Sequence, residues 1–349
     1  MEISIVMCAY NAQEHLRRSI DSILCQSFND FELLVVDDCS TDATPSIINS
    51  YAEADPRIRC LSTRGSGKKN AGPSVARNTG LVEATGKYIY FADADDRLEP
   101  DMLEILHARA ERDGSQIVCC GYFMETEKTS RKFLYSDFHA SVPEEFARHL
   151  PSLQSGQLLN VLWNKLFRHD LIDSAGARFP DHMRSGQDRF FNLLLAGSTD
   201  SFTFVNRPLY HYVVHGNGIT YGYFYEERFQ WATEIFAMQK ALYERLHILT
   251  PENLASLSFM FTKVALSCCT QLFFKSCGLR PAEKKAYAAS VIGDGIVVEA
   301  LKAAKPTKLS HKSIVALLRT GSPAVCLSIA RLTAFSSRYL QPLLIRIKY

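Results

Sequence analysis

The sequence predicts an α/β fold: a mostly parallel central sheet with flanking helices, followed by a C-terminal helical region. Three observations predict it. Strand-like and helix-like patterns alternate from Ile3 to Tyr122, the succession expected of a sheet covered on both faces. Three of those strands run into polar clusters, Tyr10-Asn11, Asp37-Asp38 and Asp93-Ala94-Asp95-Asp96, at the ends where such sheets bind ligands. From about Tyr225 onward the pattern is helical.

The elements follow in order. Ile3 to Met7 reads as a strand and His15 to Leu24 as a helix. Phe31 to Val36 is a second strand, after which Thr44-Pro45 opens a helix with proline in its first turn. Ile58 to Leu61 is a short third strand, Ser74 to Ala84 a helix and Tyr88 to Phe91 a fourth strand. Pro100 to Arg112 is helical and Gln116 to Tyr122 is a fifth strand. Between Phe123 and Arg184 the pattern is irregular, and loops that long in a compact domain are usually functional. Strand-like Phe202 to Val205 and Leu209 to Val214 follow, and the helical remainder is broken at Thr250-Pro251 and Arg280-Pro281. The expected division is a sheet domain over 1–220 and a helical region over 221–349 that ends in a basic amphipathic tail, about 301–349.

Composition narrows the possibilities. At 349 residues, 47% hydrophobic and 22% charged, the chain is an ordinary globular protein of one large or two smaller domains. Its ten cysteines form no CxxC pair, which removes a zinc ribbon and suggests a reducing compartment. The N-terminus enters strand-like sequence by Ile3 with no signal peptide, and no apolar run is long enough to span a bilayer. The net charge of +2 conceals an asymmetry: residues 301–349 hold nine Lys and Arg and no acid, which leaves the rest at −7. A cationic tail on an acidic body suggests an anionic partner, and the absence of any nucleic-acid reading module points to a membrane surface.

The clusters carry the chemistry. An Asp-x-Asp at a strand end can hold a hard divalent cation and through it a diphosphate, although it also suits a solvated turn. Tyr10 can offer its ring face to a base or close a lid over the core. Asp37 and Asp38 need donor partners, which a base N–H, a ribose hydroxyl or the capping of the next helix would supply. Arg77, one turn into the helix opened by Gly72-Pro73-Ser74, can face a base, a phosphate or a carboxylate. Asp188, before an apolar helix, suits either a helix N-cap or a general base. No GxGxxG follows the first strand, and Gly65-Ser66-Gly67-Lys68 lacks Walker spacing and reads as a flexible basic loop.

Together, the Tyr-Asn element, Val36-Asp37-Asp38-Cys39-Ser40-Thr41-Asp42, Ala76-Arg77-Asn78-Thr79-Gly80, Asp93-Ala94-Asp95-Asp96 and Gln187-Asp188 make the chain resemble family 2 glycosyltransferases over roughly residues 2 to 220. The resemblance implies the GT-A, Rossmann-like fold and an inverting transfer of sugar from a nucleotide-sugar donor, a UDP-sugar, to a saccharide or polyprenyl-linked acceptor. It implies that Tyr10 stacks on uracil beside Cys8 and Ala9, and that Asp38 and Arg77 approach the base. It places Asp93 and Ala94 at the ribose, Asp95 with Asp93 on Mn²⁺ or Mg²⁺, and Asp188 as the base. Leu162 to Arg168 looks like the members that build polysaccharide and lipopolysaccharide, which makes Trp163, Asn164 and Lys165 expected acceptor contacts.

Two positions depart from the family pattern. Gln187 stands where glutamate is common, and Val213 where an arginine often follows Tyr-x-Tyr. Lys165, His211 or His215 are the candidates to replace the missing phosphate contact. A sugar-nucleotide nucleotidyltransferase and a non-catalytic binding scaffold are the competing readings. The first lacks its Gly-rich loop after strand one, and the second is opposed by intact Asp95 and Asp188. The expected location is cytoplasmic, on the inner membrane face.

Overall fold

The computed structural model describes residues 1–66, 70–126, 128–214 and 223–336. The chain forms two compact units, Met1–His215 and Gly216–Tyr349.

The first unit is built on ten strands: β1 (Ile3–Ala9), β2 (Phe31–Asp37), β3 (Ile58–Ser62), β4 (Tyr88–Asp93), β5 (Arg97–Leu98), β6 (Ile117–Glu125), β7 (Ser130–Phe133), β8 (Phe138–Ala140), β9 (Lys165–Arg168) and β10 (Phe202–Val213). Their order is β3-β2-β1-β4-β9-β6-β10-β5, with β7 beside β6 and β8 beside β10. β3, β2, β1 and β4 run parallel, as do β6 and β10, while β9 lies antiparallel between β4 and β6. The stretch that reads as irregular in the sequence therefore supplies a central strand. Four residues are too few for a period-2 pattern to show, and Lys165, Leu166 and Phe167 are all buried.

Seven helices accompany the sheet: α1 (Leu16–Leu24), α2 (Thr44–Ala54), α3 (Pro73–Glu83), α4 (Met102–Asp113), α5 (Pro143–Ser155), α6 (His169–Ser174) and α7 (Gln187–Ser198). β1 and β2 are apolar and buried almost throughout, as strands covered on both faces must be. Proline begins α3, where a missing N–H costs nothing. Within α3, Gly80 lets the helix lie unusually close to β1: a Cβ there would stand 2.4 Å from Val6 Cγ1. Glycine lowers helix propensity, so close approach is the physical reason for it here.

The register sets the site. Ala9 pairs with Asp37, and Cys8 with both Val36 and Asp93, so the C-terminal ends of β2, β1 and β4 lie side by side. The order reverses at β1, whose parallel neighbours lead away on either side, and that crevice is where α/β sheets take ligands.

The second unit is helical: α8 (Arg228–Arg245), α9 (Pro251–Thr270), α10 (Pro281–Gly293), α11 (Gly295–Ala303), α12 (Leu309–Leu318) and α13 (Pro323–Phe335). Thr250 caps α9 through Asn253 N, Asp294 caps α11 through Ile296 N, and Ser322 caps α13. Among the described residues no helix is long and apolar enough to cross a membrane.

Candidate active site

Two carboxylates meet one guanidinium beside the strand ends. Arg77, on the α3 face packed against β1, is 7% exposed. Its Nη1 donates to Asp188 Oδ1 at 2.6 Å and its Nη2 to Asp93 Oδ1 at 3.4 Å. The guanidinium also lies over the Phe179 ring at 5.4 Å, and Phe179 stacks on Phe191 at 4.2 Å. Burial works against the Arg77 charge, but Asp188 and Asp93 outweigh it and hold the pKa above its ordinary value. The carboxylate alternative among Arg77's possible roles is thus the one seen.

Burial raises both Asp93 and Asp96 above the ordinary carboxylate range. Burial, and after it the Asp95 and Asp188 carboxylates, push Asp93 up to about 6 against the opposing pull of Arg77. Asp95 is half-buried, and its backbone carbonyl accepts from Arg18 Nη2 at 2.8 Å. Asp96 is buried and spoken for: Oδ2 accepts from Tyr210 OH at 2.8 Å and Oδ1 from Val213 N at 2.7 Å. Val213 therefore contributes through its backbone, whatever its side chain.

Asp188 does not cap its helix. Gly186, with φ of 89°, holds the N-cap position of α7, and Asp188 lies in the first turn with its carboxylate turned to Arg77. Oδ1 is engaged there; no hydrogen bond reaches Oδ2 from the described residues.

Tyr10 is 41% exposed at the end of β1, placed to present a ring face rather than close the core. Its loop is clamped: Asn11 N donates to Ser40 Oγ at 3.0 Å, Ala12 N to Thr44 Oγ1 at 2.8 Å, and Thr41 N to Asn11 Oδ1 at 2.9 Å. Ala9 is buried and Cys8 half-buried, and burial first of all pushes the Cys8 thiol up to about 12, which leaves it inert as a nucleophile. Ala94 is buried at the turn.

Asp38 is largely consumed by its own fold. Oδ1 accepts from Thr63 Oγ1 at 2.6 Å and from Ala71 N at 2.8 Å, and Oδ2 accepts from Gly72 N at 2.7 Å. At 4% exposure it anchors the loop that starts α3. Thr63 and the two backbone N–H groups are site-building residues that no sequence motif marks. Gly72 in turn has φ of 94° and leaves room for Arg184, whose Nη1 would stand 2.0 Å from any Cβ there.

The expected acceptor contacts are buried. Trp163, Asn164 and Lys165 are 4%, 0% and 0% exposed. Trp163 stacks on Tyr210 at 4.3 Å. Asn164 Nδ2 donates to the Cys120 and Leu158 carbonyls at 3.0 Å. Lys165 Nζ donates to Leu158 O at 2.9 Å, to Val161 O and to Asn164 Oδ1 at 2.7 Å. Burial draws the Lys165 ammonium down to about 8. These side chains brace the wall beneath the site, with the polar atoms of Asn164 and Lys165 engaged within the fold. His211 is likewise occupied, by Glu99 and Glu125. His215, and residues 67–69 of the basic loop, lie outside the described residues.

A divalent cation fits this donor set. Asp93 and Asp95 offer only oxygen, the ligand hard cations prefer, while Asp188 is committed to Arg77, and the three carboxylates do not converge into a three-ligand cluster among the described residues. Glu2, His107 and Glu111 do bring three ligand atoms within 4.8 Å of one another, but at the opposite end of the strands. There Glu111 is already held by Lys87 and Tyr88.

Comparison with known proteins gives one consistent answer. The sequence model of Glycosyl transferase family 2 matches residues 4–175. EpsH of Bacillus subtilis (strain 168) is 30% identical over 254 residues, 72% of this chain and 70% of that protein. The succinoglycan biosynthesis protein ExoO of Rhizobium meliloti (strain 1021) is 31% identical over 198 residues, 54% of this chain and 53% of ExoO. The crystal structure of S. aureus TarS 1–349 superposes with a TM-score of 0.66 at 18% identity, covering 98% of this chain and 92% of that one. At that identity the likeness is one of fold, and it places the molecule among GT-A structures.

Proposed function

The chain belongs to glycosyl transferase family 2 and is a glycosyltransferase, and on that footing we propose that it inverts the anomeric centre of a UDP-sugar as it passes the sugar to a saccharide or polyprenyl-linked hydroxyl in cell-surface polysaccharide synthesis. The observation that carries this reading is the Asp93–Arg77–Asp188 bridge, which joins a carboxylate at the end of β4 to one at the start of α7 across a single cation. ExoO, a succinoglycan biosynthesis protein, supports the polysaccharide assignment. TarS has been crystallised with UDP and with UDP-GlcNAc, so uridine donors are the first to test.

In this reading uracil lies on Tyr10 and the ribose near Asp93. A divalent cation at Asp95 and Asp93 supplies charge neutralisation for the diphosphate. The acceptor oxygen attacks the anomeric carbon on the face opposite the diphosphate. Its proton passes to Asp188 Oδ2, and the C–O bond electrons leave with the nucleotide. One base suffices for a single displacement, whereas two displacements would need a nucleophile. The half-buried Cys8 thiol, pushed up to about 12 by burial, is a poor candidate for one.

The test is UDP release from a panel of UDP-sugars with saccharide and polyprenyl-linked acceptors, comparing the unaltered chain with Asp188→Asn. The variant keeps the shape of the side chain but cannot accept the proton. Donor binding should persist while transfer drops by roughly 10²–10⁴-fold. Near-normal turnover in a folded variant would remove Asp188 from the chemistry.

The tail enters the proposal as a peripheral contact with an anionic membrane surface. Leu309 and Leu317 on α12 and Leu332 and Phe335 on α13 are exposed, beside exposed Lys302, Lys305, Lys308, Lys312 and Arg331. Arg319 is spent internally, donating to Leu301 O at 2.9 Å and Ala304 O at 3.0 Å. Arg338, Arg346 and Lys348 lie outside the described residues.

A further inference from the structure

His211 stands on β10 between the two tyrosines of Tyr210-His211-Tyr212, and the reaction just described gives it no role. Its Nε2 lies 2.6 Å from Glu99 Oε1 and its Nδ1 lies 2.9 Å from Glu125 Oε1. Ionised carboxylates only accept hydrogen bonds, so with both carboxylates ionised both ring nitrogens donate, as in an imidazolium. Glu125 is ionised: burial opposes its charge, but hydrogen bonds from His211 and Arg97 hold its pKa below the ordinary range. Arg97 Nη2 closes the set on the far side of Glu125 at 2.9 Å, and Phe123 stacks on the ring at 4.6 Å. Two cations thus balance two carboxylates in a site where His211 is only 5% exposed.

The position of this set in the chain gives it meaning. Asp95 and Asp96 lead directly into β5, a strand of two residues, Arg97 and Leu98, and Glu99 follows at once. β5 holds to β10 through the pairs Leu98–Tyr210 and Arg97–His211, with Glu99 N donating to Leu209 O at 2.9 Å. So short a ladder is a weak restraint, since isolated two-stranded pairings are marginal in water. Charged hydrogen bonds from the neighbouring side chains supply what the ladder lacks. Without the imidazolium, Glu99 and Glu125 would confront each other across its vacated place.

We infer that His211 is a positioning residue: clamped between Glu99 and Glu125, it fixes β5 against β10 and thereby sets where the Asp93–Asp95 turn offers its oxygens to the cation and the diphosphate. The inference rests on the nucleotide-sugar reading of that turn.

The test measures UDP binding by calorimetry as Mn²⁺ is titrated, on the full chain and on His211→Gln. Removing a group that orients ligating side chains typically costs about 10–100-fold in metal affinity, so the Mn²⁺ midpoint should rise by at least about tenfold. UDP affinity at saturating Mn²⁺ should stay within about twofold, because the cation then holds the turn and the base contact at Tyr10 is untouched. Adding Glu99→Gln to His211→Gln removes the confronting charge and should recover part of the midpoint. A role in stability alone would lower the melting temperature and leave the Mn²⁺ midpoint in place, which overturns the inference. Should His211→Gln not fold, Glu99→Gln alone must raise the midpoint, and an unmoved midpoint is equally fatal. If the unaltered chain binds UDP with no dependence on Mn²⁺, the cation reading of the turn fails and this inference falls with it. If the dependence is present and the variants leave it unchanged, only the role of His211 fails.

Discussion

Arg77 Nη1 lies 2.6 Å from Asp188 Oδ1, and this contact spans 111 residues of chain to bring α3 and α7 to one point. Because the same guanidinium reaches Asp93, one side chain sets both the acid at the end of β4 and the proposed base.

Arg77→Met should therefore destabilise the fold as well as disable it. Removing one partner of a fully buried ion pair typically costs about 3–5 kcal/mol, and because Asp188 and Asp93 keep 29% and 35% exposure the loss here should fall below that range. Its loss also removes the cation that pulls Asp93 down, so the Asp93 pKa should rise further. The destabilisation must then be larger at pH 8, where Asp93 would be ionised without a partner, than at pH 5. Urea unfolding at both pH values measures it, and an equal loss at the two would show that Asp93 does not feel Arg77.

Asp93 itself makes cation binding depend on pH. Its folded pKa of about 6 is raised above the ordinary 3.8, so between those values the folded chain holds a proton that the unfolded chain has lost. Its contribution to stability consequently declines as pH rises through that window. Cation binding needs the ionised form, so Mn²⁺ affinity should increase over the same window and level off above it. Titrations at pH 5 and 7.5 should differ in the unaltered chain. In Asp93→Asn the difference should shrink, and a variant that keeps the whole difference would assign it to another group.

Gly80→Ala sets helix propensity against packing. Alanine favours a helix by about 1 kcal/mol over glycine, yet the added methyl would meet Val6 Cγ1 at 2.4 Å. Overpacking typically costs about 1–3 kcal/mol, so the variant should be less stable and should bind UDP more weakly as α3 carries Arg77 off its carboxylates. Val6→Ala in the same chain should return most of the UDP affinity. A Gly80→Ala chain that gains stability would mean that the helix has room to move.

The parts of this site legible in the sequence are those fixed by strand ends. Tyr10, Asp38 and Asp93 follow apolar runs, and the sheet register places those runs side by side. Arg77 was readable as a charged residue one turn into a proline-started helix, though not its choice of carboxylates, which depends on a contact 111 residues away. Lys165 misled because charge on a short segment suggests a surface. Its three oxygen partners, two of them backbone carbonyls, are visible only once β9 is folded between β4 and β6. The position of Asp38 is legible but its partners are not: Thr63, Ala71 and Gly72 donate to it from a loop with no periodic signal.

The tail gives the last prediction. Residues from 301 onward carry nine cations and no acid, but Arg319 is committed to the end of α11 and should contribute little. Each remaining Lys or Arg near an anionic surface is worth about 1 kcal/mol, an attraction that weakens as salt rises. The exposed Leu309, Leu317, Leu332 and Phe335 add apolar insertion that salt does not screen. Full chain should therefore sediment with anionic liposomes, lose part of that binding at high salt, and bind neutral liposomes weakly. Lys308→Glu with Lys312→Glu should reduce sedimentation on anionic lipid, while Arg319→Gln should lower stability more than binding. Equal sedimentation of the unaltered and double-glutamate chains on anionic lipid would leave these cations as an ordinary solvated face.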